Sequence, residues 1–114
     1  MKLTSLNKLN LSWCENFSGE GLHALSVLSS LHELKLEACQ SINDEALELL
    51  SSFTSLRKLN LTECIEFTEE GLKSITAFKS LRELIVYGCE QLPGEIESLI
   101  SELESLKPGL KIHY

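Results

Sequence analysis

The chain has 114 residues, of which 43% are hydrophobic and 24% charged, and its formal net charge is −7. This acidic balance disfavours nucleic acid and anionic membrane surfaces as partners, because both are themselves negatively charged. No apolar run approaches the ~18 residues that span a bilayer, and the N-terminus lacks the apolar core of a signal peptide, so we expect a cytoplasmic protein, with the nucleus as the alternative setting.

The pattern L-x-x-L-x-L-x-x-C occurs four times, with Val86 in one leucine position, and each copy lies 25 residues after the last. The copies end at Cys14, Cys39, Cys64 and Cys89. A fixed period of this length is the signature of stacked repeats. We therefore predict one domain, 1–114, with repeats 6–30, 31–55, 56–80 and 81–105 and a C-terminal cap at 106–114.

Each repeat is predicted to begin with a short strand, because apolar and polar residues alternate as in Leu9-Asn10-Leu11. A helix follows, and Ser18, Asn43 and Thr68 are its expected N-caps in the first three repeats. Acidic residues in the first turn favour the helix dipole. Apolar positions spaced three apart predict short, tightly wound helices that face the strand leucines.

The fourth repeat departs from this pattern. Pro93 takes the N-cap position, and Glu97 replaces an apolar residue of the helix. We expect 107–109 to add one residue to the period before a closing strand, so that Lys111 and His113 extend the columns of Ile85 and Tyr87. At the other end no cap is evident, which predicts an exposed first strand.

These motifs resemble the leucine-rich-repeat family in its cysteine-containing, F-box-associated subtype. In that subtype the cysteine is followed by an apolar residue and T-D-x-G-L, similar to Phe67-Thr68-Glu69-Glu70-Gly71-Leu72 here. The resemblance implies an α/β leucine-rich-repeat solenoid, a right-handed β-α superhelix, that binds proteins on its concave face. Many relatives are substrate-recognition arms of F-box ubiquitin ligases or secreted bacterial effectors, but repeats begin by residue 3 and leave no room for an F-box.

Stacked repeats would align the four cysteines in one column. We expect a buried ladder in which each thiol bonds a turn carbonyl, because zinc sites usually need close C-x₂-C pairs and none is present. The one aspartate, Asp44, and the three histidines, His23, His32 and His113, form no nucleophile–base set. Glutamates are numerous, but most lie at helix or turn positions, where we expect a solvated face. We therefore expect no enzyme, no cofactor and no metal, with redox or metal chemistry as the alternative for the thiols.

Residues 25 apart also form columns across the concave face. The column Lys8, Glu33, Lys58, Glu83 alternates in sign, which favours cross-strand ion pairs and a structural role. The neighbouring columns and the closing strand contain aromatic residues, the types most enriched at binding hot spots. The predicted protein-binding residues are Trp13, Lys35, Glu37, Asn60, Thr62, Glu63, Ile85, Tyr87, His113 and Tyr114.

Structural roles compete with binding at some of these positions. Ile85 and Tyr87 could pack against the C-terminal cap, and Trp13 could cover the first repeat. Taken together, we expect a module that binds another protein on its concave face. The alternatives are a recognition fragment of a ubiquitin-ligase adaptor or bacterial effector, and a structural repeat protein that forms homo-oligomers through its uncapped N-terminal edge.

Overall fold

The computed structural model describes residues 7–13, 30–39, 42–89 and 96–114. Five strands form one parallel sheet whose spatial order follows the chain. They are β1 Lys8–Asn10, β2 Glu33–Lys35, β3 Lys58–Asn60, β4 Glu83–Ile85 and β5 Lys111–His113. Neighbouring parallel strands with helices between them are what stacked β-α repeats produce. The predicted α/β class is confirmed.

Helices connect the later strands. They are α1 Asp44–Leu50, α2 Glu69–Leu72, which continues as a 3₁₀ helix over Lys73–Ala77, and α3 Glu97–Leu106. The 3₁₀ segment confirms the tight winding predicted for the third repeat, because three residues per turn bring Leu72, Ile75 and Phe78 to one buried side. By contrast, α1 is a regular α-helix. Among the described helices none is long and apolar enough to cross a membrane.

Several predictions concern residues outside those that the structure describes. They are the first-repeat helix with its N-cap Ser18, the thiol of Cys14, the position of His23, the Pro93 N-cap, and the absence of an N-terminal cap before β1.

The strand register follows the repeat period from β1 to β4. Leu9, Leu34, Leu59 and Leu84 lie opposite one another in successive strands, each 25 residues from the last. The register then changes at β5, where Ile112 lies opposite Leu84. The sheet is therefore regular over the four repeats and closes with a different connection.

The closing register corrects the sequence prediction. Lys111 pairs with Glu83 and His113 with Ile85, so each lies one column away from the position predicted for it. The connection is longer than expected because α3 runs to Leu106 and the turn that follows places Gly109 at φ 97°. The error amounts to two residues, and a two-residue shift keeps each side chain on its expected face of the sheet.

A continuous apolar core lies between the sheet and the helices. Strand leucines such as Leu34, Leu59 and Leu84 are buried in it, as are Phe67 and Phe78. Each such side chain contributes about 1.5–3 kcal/mol by leaving water. One side of α3 is buried in the same core, at Leu99, Ile100 and Leu103, while Glu97 stays exposed.

The cysteine ladder is confirmed for the three cysteines that the structure describes. Each thiol donates a hydrogen bond to a carbonyl of the preceding repeat: Cys39 to Leu11 at 3.0 Å, Cys64 to Leu36 at 2.9 Å and Cys89 to Leu61 at 3.2 Å. Burial raises the pKa of Cys64 to about 12 and that of Cys89 to about 11. These two thiols are therefore neutral at physiological pH, and they act as apolar groups with one weak donor each.

Asp44 forms a second link between repeats. The Thr68 backbone N–H and hydroxyl each donate to the Asp44 carboxylate, at 2.7 Å in both cases. Asn43 caps α1 as predicted, since its side chain accepts from the Ala46 N–H at 2.9 Å. Thr68 occupies the N-cap position of α2 as predicted, but its hydroxyl donates to Asp44 and makes no cap bond to its own helix.

Candidate functional site

The side of the sheet that faces away from the apolar core is called the open face here. It corresponds to the predicted concave face. Side chains alternate along each strand, so residues on either side of each central leucine point to this face. Its strand residues are Lys8, Asn10, Glu33, Lys35, Lys58, Asn60, Glu83, Ile85, Lys111 and His113.

A polar network occupies the centre of the open face. The Asn60 amide donates to Glu37 Oε1 at 3.0 Å, and the Lys35 amine lies 3.7 Å from the same oxygen. Asn60 Oδ1 accepts from the Thr62 N–H at 3.0 Å and from its hydroxyl at 2.7 Å. Four predicted binding residues are thus brought together and hold one another in place. Side chains fixed in this way lose less conformational entropy when a partner binds.

Ser12 belongs to the same network, although it was not among the predicted binding residues. Its hydroxyl oxygen accepts from the Glu37 N–H at 3.1 Å, and its own N–H donates to Asn10 Oδ1 at 3.0 Å. A sequence signal for this role does exist. Asn10-x-Ser12 and Asn60-x-Thr62 are the same motif two repeats apart, in which an asparagine side chain closes a turn on the residue two positions later.

An aromatic pair lies at the C-terminal end of the open face. The rings of Tyr87 and His113 are 6.4 Å apart at an angle of 51°, and His113 Nε2 is 2.9 Å from Glu83 Oε2. Tyr87 remains 49% exposed, whereas Ile85 is half-buried between its neighbouring strands. Tyr114 is 53% exposed, but it lies beyond β5 and directly follows His113, so the alternation that places His113 on the open face does not place Tyr114 there. This end of the face therefore combines the apolar area of the Tyr87 ring with the polar contact between His113 and Glu83.

Trp13 lies at the opposite end of the sheet and is 70% exposed. It occupies a turn position that recurs every 25 residues and always has a left-handed backbone: φ is 69° at Trp13, 56° at Ala38, 60° at Glu63 and 68° at Gly88. Three strand spacings of about 4.8 Å separate the Trp13 repeat from the Tyr87 repeat, or about 14 Å. The structure therefore does not bring Trp13 next to Tyr87 and His113. The four turn positions Trp13, Ala38, Glu63 and Gly88 are called the turn row, and Glu63 is exposed in it between the first and the fourth repeat.

The column of alternating charge forms fewer ion pairs than its register allows. Lys8 and Glu33 approach to 3.9 Å with exposed side chains, a pair worth less than about 1 kcal/mol. Glu83 contacts His113 of the neighbouring column instead of Lys58 or Lys111. In the described part of the chain, ion pairs within this column therefore contribute little to stability, although its residues lie opposite one another in the sheet.

The open face also contains a cleft of about 360 Å³ between β1 and β3, bordered by Lys35 and Asn60. Within the described ranges no cluster of three or more His, Cys, Asp or Glu side chains is suited to hold a metal ion. The surface thus offers hydrogen-bonding groups, aromatic area and a shallow concavity, which are features of protein-binding sites.

Comparison with known proteins identifies the repeat. The family model described as "At1g61320/AtMIF1, LRR domain" matches residues 2–111. A solved structure from Caenorhabditis elegans, described as a tropomodulin C-terminal domain, is similar with a TM-score of 0.71. It is 21% identical, and the alignment covers 96% of this chain and 73% of that one. None of the curated proteins compared with the chain shows significant sequence similarity. The two matches confirm the leucine-rich-repeat solenoid.

Proposed function

We propose that this chain, which belongs to the At1g61320/AtMIF1 family of leucine-rich-repeat domains, binds a protein partner through its open face. Leucine-rich-repeat domains are typically protein-interaction modules, and stacked repeats present extended binding surfaces. The observation that supports this face most strongly is the exposure of Tyr87, which lies one repeat after Thr62 and therefore next to the fixed polar network. Large exposed aromatics next to ordered polar groups are enriched where binding energy concentrates.

The size of the open face limits the affinity that we expect. Five strands at about 4.8 Å and five residues at about 3.3 Å give about 24 Å by about 16 Å, or roughly 400 Å². A stable interface buries about 800 Å² per partner. Binding through this face alone should therefore be weak, and a tight complex would also use the turn row that contains Trp13 and Glu63.

The experiment that tests this proposal compares three versions of the chain as immobilised bait in a cytosolic lysate, followed by quantitative mass spectrometry. One is the natural chain, and the second carries Trp13→Ala, Tyr87→Ala and Tyr114→Ala. The third is a matched control with Ser98→Ala, Ser101→Ala and Ser105→Ala, three exposed positions of α3 where the change also leaves the net charge unaltered.

The proposal predicts at least one protein retained by the natural chain and by the serine control, and lost from the aromatic variant. Retention of every captured protein by all three chains contradicts it. Recovery of a cullin-ligase adaptor among the specific partners would favour the narrower role of a recognition fragment for a ubiquitin ligase.

A second candidate function is self-association. Among the described strands β1 lies at one edge of the sheet, so its outward backbone groups could pair with another copy. Light scattering distinguishes the two functions. A monomer across the concentration range excludes self-association, whereas a dimer that survives the aromatic substitutions supports it.

A further inference from the structure

A basic pocket lies beside the loops that lead into β3, β4 and β5, at the edge of the sheet where the strands begin. It has a volume of about 490 Å³ and is lined by residues 57, 79–82 and 106–109. Arg57 and Arg82 immediately precede β3 and β4, and Lys79 and Lys107 belong to the connections before β4 and β5. The pocket thus forms only when the third and fourth repeats and the C-terminal cap are stacked.

The charge of this pocket is opposite to that of the whole protein. Four of the ten lysines and arginines line it, in a chain whose net charge is −7. None of its described lining residues is acidic, and none of these four cations lies within 4.0 Å of a carboxylate in the part of the chain that the structure describes. Concentrated positive charge attracts anionic ligands and raises their local concentration.

The pocket is held in shape by bonds between repeats. The Arg57 carbonyl accepts from the Arg82 and Glu83 N–H groups at 2.8 and 3.0 Å, and the Arg82 carbonyl accepts from the Lys111 N–H at 2.8 Å. The Ser80 hydroxyl donates to the Thr54 carbonyl at 2.7 Å, which ties two of the loops together. The backbone that carries both arginines is therefore fixed before any ligand arrives.

Lys107 is anchored as well. Its amine donates to the carbonyl of Phe78, which follows the 3₁₀ helix Lys73–Ala77, and its side chain is partly buried. Because an ammonium has three N–H donors and one is used here, two remain available to a ligand. The two guanidinium groups offer five N–H donors each in a planar fork that matches phosphate oxygens.

One wall of the pocket is apolar. Leu106 is 62% exposed, and Pro108 is exposed beside it. A volume of about 490 Å³ lies within the range of about 300–1,000 Å³ that is typical of ligand sites. This volume is larger than that of a single small anion, so the pocket also has room for an adjoining apolar side chain.

From these observations we propose that the pocket binds a phosphorylated side chain of a peptide segment, with an apolar neighbour of that side chain on Leu106. A phosphoryl group carries about −1.5 to −2 charges and three acceptor oxygens, which suits two arginines and two lysines better than a single carboxylate does. The site lies about 16 Å along β4 from Tyr87, so it goes beyond the function proposed for the open face.

Nuclear magnetic resonance titration of the ¹⁵N-labelled chain tests the proposal directly. The probes are acetyl-Leu-phosphoserine-Leu-amide, its glutamate counterpart acetyl-Leu-Glu-Leu-amide, and inorganic phosphate. We expect saturable shifts of the Gly109 amide and the arginine Nε–H signals with the phosphopeptide, at an affinity at least tenfold above that of either other probe.

Arg57→Gln with Arg82→Gln should weaken phosphopeptide binding at least tenfold. The charge-matched control, Lys8→Gln with Lys73→Gln, should change the affinity less than threefold. Both pairs of residues have exposed side chains, and thermal melts check that the variants stay folded. The aromatic variant of the open face should bind the phosphopeptide as the natural chain does, which separates this proposal from the previous one.

Three results would overturn the proposal. Absence of shifts at Gly109 and the arginines would exclude the pocket as the site. Equal affinity for the glutamate peptide or for inorganic phosphate would remove the assignment to a phosphorylated peptide. Equal loss of binding in the arginine pair and the lysine control would show that net charge, and not this pocket, attracts the ligand.

Discussion

The bridge from Asp44 to Thr68 connects the second and third repeats, and its removal should destabilise the fold measurably. Asp44→Ala deletes two hydrogen bonds of 2.7 Å to a carboxylate. Such bonds contribute about 1.5–3 kcal/mol each, and this carboxylate is only half-buried, so we expect the free energy of unfolding to fall by about 2–4 kcal/mol. For a domain of this size the melting temperature should fall by about 8–15 °C.

Gly71 is coupled to the same carboxylate. Alanine normally stabilises a helix by about 1 kcal/mol relative to glycine. At this position a Cβ atom would lie 2.2 Å from Asp44 Oδ1 and 2.8 Å from its Cγ, so the carboxylate would have to leave Thr68. We expect Gly71→Ala to destabilise the natural chain by about 1–3 kcal/mol. In the Asp44→Ala background the same substitution should cost at least about 1 kcal/mol less, and the cost that remains comes from the backbone Cα of residue 44, 3.0 Å from the added Cβ.

Urea denaturation followed by circular dichroism, on the natural chain, both single variants and the double variant, measures this coupling. A coupling energy of at least about 1 kcal/mol is expected, since the two residues are in direct contact. Glu45→Ala is the control, because Glu45 is the other acidic residue in the first turn of α1. A double variant that is additive within about 0.5 kcal/mol, or a control as damaging as Asp44→Ala, refutes the bridge.

Three further predictions concern the core and the turns. Burial raises the pKa of the Cys64 thiol from 9.0 to about 12, so the stability that the neutral thiol contributes is complete below about pH 9 and is lost as pH rises toward 12. The urea midpoint should therefore fall between about pH 8 and 10.5 in the natural chain, and it should fall less steeply in Cys64→Ala. Ala38 has φ 56°, a left-handed conformation that glycine adopts without steric strain, so Ala38→Gly should raise the free energy of unfolding by about 0.5–1 kcal/mol, and a decrease would contradict this account of the turn. Leu59 is fully buried in the central strand, and Leu59→Ala should lower the free energy of unfolding by about 2–5 kcal/mol in the same urea assay, whereas a loss below about 1 kcal/mol would show that the core repacks there.

The repeat period predicted most of the fold. Because residues 25 apart must lie side by side in a parallel stack, the positions of Leu34, Leu59 and Leu84 follow from the sequence alone. The cysteine ladder follows by the same reasoning. The prediction was wrong at β5, where the period ends and the register depends on the length of α3 and on the turn at Gly109. Neither quantity is encoded in the repeat.

The polar contacts were harder to predict. The sequence indicated that Asp44 would favour a helix dipole, but its bond to Thr68 depends on the stacking of the two helices. The pair His113–Glu83 was missed for a similar reason, since it spans the irregular connection before β5. The basic pocket did leave a signal, because Arg57 and Arg82 are 25 residues apart, but its lysines lie off that period.

The central claim is that the open face contacts the partner, and site-specific photo-crosslinking is its most direct test. The photoreactive residue p-benzoylphenylalanine would replace Tyr87 on the open face in one chain and Ser101, exposed on α3, in the other. The account predicts that, after illumination in lysate, the protein captured by the natural chain becomes covalently attached at position 87 and not at position 101. Attachment at position 101 without attachment at position 87 would contradict it.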